Sequence, residues 1–169
     1  MAGMVAALAM ALFVMIAAAT YLDLGFYTPL YLVAAIVDPG PLRDALAVAT
    51  PESRFTLDLS PAVAGMAVHL GIGAGFGLVF AVLARVLRLH GPVMLLAGAG
   101  YGVAVMLLMG LVLLPWLAPA TAGGSLLTEA AGLFGWPTSS AAHLLFGLVL
   151  GAWMARQGSN LYAAGEPTR

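Results

Sequence analysis

The sequence predicts an all-α integral membrane protein, a four-helix transmembrane bundle, and three observations carry that expectation. Of the 169 residues, 63% are hydrophobic and only 8% charged, whereas soluble domains carry about a quarter charged residues. Uncharged stretches recur at about the 20 residues that a helix needs to cross some 30 Å of hydrocarbon. The charges fall between those stretches instead of within them. Six arginines, seven acids and no lysine could not supply the polar surface of a soluble globule this long.

The four spans follow from charge and proline positions. Residues 1–22 are uncharged and end at Asp23; 61–84, 91–128 and 130–155 are uncharged as well. Ser60-Pro61 reads as a hydroxyl cap followed by proline in the first turn, and Gly91-Pro92 as another helix start. Pro115 and Pro119 should stop the third span, and Pro137, followed by Thr138, Ser139 and Ser140, should open the fourth. The expected spans are therefore 2–22, 61–87, 92–114 and 137–156, in a single membrane domain covering 1–169.

Two apolar runs are too short to cross. Residues 24–37, interrupted by Pro29, and 125–135, which hold Glu129, are expected as interfacial or re-entrant segments on the outer side. Arg85 and Arg88 lie in the turn between spans two and three, and Arg156 and Arg169 follow span four. Only Arg43 and Arg54 fall in the first loop, so both termini are expected in the cytoplasm, as in a bacterial-type inner membrane. Trp116 and Trp136 then mark the outer interface, Trp153 and Tyr162 the inner one. A cleaved signal peptide ending near Ala17-Ala18-Ala19 is disfavoured, because the positive segment it needs is missing.

Composition also excludes function classes. A net charge of −1 with scattered arginines offers nucleic acid no basic patch. Without cysteine there is no thiolate chemistry, and without lysine no Schiff base. Charged residues reach the expected spans only at their ends, at Arg85 and Arg156, which argues against ion pumps and carriers of charged solutes. No hydrolase or phosphate-loop motif occurs, so the chain is not expected to be an enzyme on its own.

The residues that invite chemistry are two histidines in a repeated pattern. His69 is followed by Gly73 and Gly77, and His143 by Gly147 and Gly151, each a His-x3-Gly-x3-Gly on one helical face. A duplicated helical hairpin, a 2+2 parallel repeat, would produce this pair. Counted from Pro61 and Pro137, the histidines lie about 12 and 9 Å into their helices. Ionisable groups at such depth are functional candidates.

One expectation is a redox or metal-binding subunit active in electron transfer, with His69 and His143 as ligands of haem b or copper. Gly73 and Gly147 would then leave room for the macrocycle, and Ser139 or Ser140 would accept from the second ring nitrogen of His143. For copper, Met66 stands one turn before His69, with Met15, Met106 and Met109 at similar depth, and Glu129 is a third candidate ligand. The alternative is an accessory subunit without chemistry of its own. Its imidazoles would be neutral and hydrogen-bonded within the bundle, and its glycines (Gly71/Gly75, Gly73/Gly77, Gly98/Gly102 and Gly147/Gly151) would serve close packing within the chain, in a homo-oligomer or against other membrane subunits. A small-solute channel ranks third. His90, in the cytoplasmic turn, is expected to be solvated, and the outer acids Asp23, Asp38, Asp44, Glu52 and Asp58 mostly keep the first loop in water.

Overall fold

Four helices are long and apolar enough to cross a membrane. In the computed structural model of the chain, residues 1–47 and 53–163 are described, the last six as backbone only. Glu52, the Tyr162 side chain and Arg169 lie outside the described residues. The elements are α1 (Ala2–Thr20), α2 (Thr28–Ala34), α3 (Gly40–Ala47), α4 (Leu59–Val86), α5 (Pro92–Leu108), α6 (Leu114–Leu117), α7 (Ser125–Leu133) and α8 (Gly135–Ala163). No strand occurs among the described residues.

Helix α1 shows how the bundle is built. Its outward stripe, Leu8, Leu12 and Ile16, is about half exposed, whereas Ala7, Ala11, Met15 and Ala18 are buried. Residues four apart share a helix face, so large apolar side chains point out and small ones point in. That pattern suits lipid, where small residues let backbones approach. Around the bundle the order is α1, α4, α5, α8, and α4 and α8 run in the same direction across from one another.

Several helix boundaries differ from expectation, and α8 runs to Ala163, past the expected end at 156. Helix α4 starts at Leu59, ahead of Ser60, and its N-cap Asp58 makes no side-chain cap bond. Helix α8 starts at Gly135, whose φ of +68° turns the chain sharply out of α7. The third span continues past Pro115 to Ala120, because a π-helical turn over Met109–Leu113 precedes the proline. A proline supplies no amide hydrogen, and the wider turn accommodates that missing donor without ending the helix.

The two short segments fold as α2 and α7 and gather at one end of the bundle. Tyr31 of α2 clamps the loop before α4: its hydroxyl donates to the Thr56 carbonyl (3.4 Å) and accepts from the Asp58 amide (2.8 Å). Met15, Leu30, Leu42, Ala62 and Leu127 form a core beneath this cap. A second core, built on Phe80, Phe146 and Leu150, fills the opposite half. Helix α3, which is not among the expected segments, carries Leu42, Ala45 and Leu46 at i, i+3 and i+4 and buries Leu42 completely against the cap.

Candidate functional site

Between the two cores lies a cavity of about 270 Å³. Helix α1 contributes Ala7, Met10, Ala11 and Val14 to its wall; α4 contributes His69, Ile72, Gly73 and Phe76; and α8 contributes Thr138, Ser139, His143 and Phe146. Val105 and Met109 close the α5 side, with Pro29, Leu30, Leu127 and Phe134 toward the cap. Among the described residues no charged side chain lines it.

The histidines are the principal polar groups of this wall. His69 lies ten residues into α4 and His143 eight into α8, about 15 and 12 Å from their helix starts. The two rings stand at similar distances along their helices, and both border one space. Each ring is fixed by a backbone carbonyl. His69 Nε2 donates to Ala7 O of α1 (3.0 Å), and His143 Nδ1 donates to Ser139 O one turn earlier in α8 (2.8 Å).

A carbonyl oxygen can only accept, so in the neutral form of each ring these bonds fix which nitrogen carries the proton. His69 has Nε2–H and a lone pair on Nδ1; His143 has Nδ1–H and a lone pair on Nε2. Neither second nitrogen is among the sealed, unpaired side-chain atoms, which are Thr28 Oγ1 and Trp153 Nε1 among the described residues. Thr138 is already engaged, its hydroxyl 3.1 Å from that of Tyr21. Both imidazoles therefore border the cavity, each with one ring nitrogen outside its carbonyl bond.

The glycines of the repeat serve the helices. A Cβ on Gly73 would meet Ala7 Cβ and the Gly3 carbonyl of α1. A Cβ on Gly147 would meet the carbonyl of Gly98 in α5, and one on Gly151 would lie 2.6 Å from Met94 O. The space expected beside Gly73 and Gly147 for a macrocycle edge is filled by the α1 and α5 backbones. Gly73 still borders the cavity; Gly147 does not line it.

The other candidate ligands are not brought to the histidines. Glu129 is exposed on α7. Met66 and Met15 belong to the cap core, and the Met106 sulfur accepts from the Ser140 hydroxyl at 3.3 Å. Of the expected methionines only Met109 lines the cavity, joined by Met10. Ser139 does serve His143, but through its carbonyl instead of its hydroxyl. Asp23 pairs with Arg54 across 3.5 Å at the surface, and His90 is exposed, its Nδ1 donating to Arg88 O at 2.7 Å. No group of three or more His, Asp or Glu side chains able to hold a metal occurs among the described residues.

Sequence reasoning missed the Ala7 carbonyl, a main-chain acceptor with no residue signature, and the contribution of Met10. The Gly3/Ala7 spacing on α1 was the available signal, since small residues four apart mark a close helix contact. No family model matches the chain, and no curated protein or solved structure matches it.

Proposed function

We propose that this protein binds a lipophilic molecule carrying a hydroxyl group inside the membrane, with the two imidazoles accepting its hydrogen bond. The observation that carries this reading is the pair of imidazoles bordering one apolar cavity, each with one ring nitrogen outside its carbonyl bond. Apolar pockets with a few convergent polar groups are the usual form of small-molecule sites. The volume of about 270 Å³ is nearly twice that of a cavity that takes benzene, about 150 Å³. It suits a substituted ring, such as the head of a quinol or a phenolic lipid, and far exceeds what one ion needs.

In this reading, the chain is two helical hairpins, α1 with α4 and α5 with α8, related by an axis along the membrane normal. The matched packing of Gly3 and Ala7 on Gly73, and of Gly98 on Gly147, supports it. The cap of α2, α3 and α7 faces outward and both termini lie in the cytoplasm, following the arginine bias.

Copper(I) is a second reading, favoured by the Met10 and Met109 thioethers on the same wall. Haem b has no comparable support, because helix backbones fill the clearance beside the glycines and His69 donates through Nε2.

The test is binding in lipid nanodiscs of 2-naphthol against its O-methyl ether, with metal analysis of the same preparation. An unpaired buried acceptor costs about 1–3 kcal/mol, so the ether should bind at least about fivefold more weakly. Equal binding of both would overturn the acceptor role. Binding of neither, with one copper per chain, would favour the metal; binding of neither without copper would leave an accessory subunit.

A further inference from the structure

The bundle is closely joined along every seam but one. Glycine-to-backbone contacts join α1 to α4 and α5 to α8, and Tyr21 with Thr138 ties α1 to α8. The cap end is shut where α2 lies on α4, since a Cβ on Gly65 would strike the Leu30 carbonyl. The far end is filled by the core of Phe80, Phe146 and Leu150.

Helices α4 and α5 meet differently. Tyr101 donates from its hydroxyl to Phe76 O (2.7 Å), and its ring lies 5.1 Å from that of Phe80. Both contacts lie on the side of the cavity away from the cap. Toward the cap, Ile72 and His69 of α4 and Val105 and Met109 of the third span line the cavity, with no hydrogen bond across the seam among the described residues. His69, Ile72, Phe76 and Met109 are only half-buried. Beyond Met109 the third span runs through its π-helical turn, which buries no residue, and a Cβ on Gly110 would meet nothing within 4 Å.

We infer that the α4–α5 seam is a lateral portal, through which the ring end of an amphiphile dissolved in the bilayer enters while its hydrocarbon tail stays in the lipid. This rests on the ligand-binding reading above and adds the ligand's source and shape. A cavity of about 270 Å³ has room for a ring and a few carbons, so a tailed molecule fits only if its tail leaves. The half-buried rim of Ile72, Phe76 and Met109 is the part of the wall where an alkyl chain passes from the cavity to lipid without meeting a charge. The Tyr101–Phe76 bond closes the lower end of the slot and sets how far a ring can travel along it.

The experiment compares a 4-alkylphenol with a two-carbon chain and one with a twelve-carbon chain, in identical nanodiscs, with affinity expressed per mole fraction in lipid. The long-chain phenol is expected to bind within about threefold of the short one, or more tightly. A diazirine on the chain, a few carbons from the ring, should label Ile72, Phe76, Val105 or Met109. Loss of long-chain binding by more than about tenfold, with the short phenol still bound, would overturn the portal and leave the ligand site intact. Labelling confined to α1, α2 or α7 would also overturn it. If neither phenol binds, the ligand reading fails and the portal with it.

Discussion

His69 and His143 hold their protons on opposite ring nitrogens, His69 on Nε2 toward the Ala7 carbonyl and His143 on Nδ1 toward the Ser139 carbonyl. The first bond ties α4 to α1, whereas the second stays within α8. One histidine therefore holds helices together, and the other sets only its own ring.

That asymmetry has a measurable consequence. His69→Leu should lower unfolding stability in detergent by about 0.6–2 kcal/mol, the range of interhelical hydrogen bonds in membrane proteins. His143→Leu should cost less, because the Ser139 carbonyl keeps its helix partner. Equal losses for both would contradict the assignment.

The glycines divide into two groups by what lies beside them. Gly147→Ala and Gly98→Ala place a methyl against backbone and should destabilise by about 1–3 kcal/mol, as overpacking does. Gly71→Ala and Gly75→Ala place it in open space and should be neutral or stabilising, by up to about 1 kcal/mol per residue. Thermal denaturation of the four variants checks this.

Tyr31 gives the cap a pH dependence. Burial pushes its phenol above the usual tyrosine value; the Asp58 amide that donates to it offsets part of this, and the negative charge of Asp58 adds a smaller rise. A group whose pKa is raised on folding contributes stability that is fully present below its unfolded value, about 10. That stability is lost as pH rises through the higher folded value. Proteolysis of the loop before α4 should therefore accelerate above about pH 10 in the native protein. Tyr31→Phe should remove that pH dependence and cost about 0.5–1.5 kcal/mol, the net worth of the lost bond to the Asp58 amide.

Reporter fusions test the orientation. Fusions after Asp44 and after Gly124 should report the outside, and fusions at His90 and beyond α8 the inside. The reverse pattern would place the cap and the histidines' half of the bundle toward the cytoplasm.

Much of the fold was legible because charge placement marks where spans end: Asp23 and Arg85 each lie within a few residues of a helix terminus, whereas α8 runs on past Arg156 to Ala163. Pro115 misled, since a π-turn before it is a backbone adjustment that no side-chain pattern announces. At the site, the His-x3-Gly-x3-Gly repeat located both rings on one cavity. The role of its glycines was legible only as a choice between close packing and room for a ligand, and the neighbouring backbones decide that choice. Met66 and Met109 share a residue type and a similar depth, yet one faces the cap core and the other the cavity. Helix rotation separates them, and an apolar helix in lipid has no polar face to reveal its rotation.

The most direct measurement is ¹⁵N NMR of histidine-labelled protein in nanodiscs. The chain has three histidines, and His90→Gln leaves the two of interest. The account expects His69 protonated on Nε2 and His143 on Nδ1, with both bare nitrogens shifting when 2-naphthol is added and neither shifting with its methyl ether. Matching tautomers in the two rings, or bare nitrogens indifferent to the hydroxyl, would contradict it.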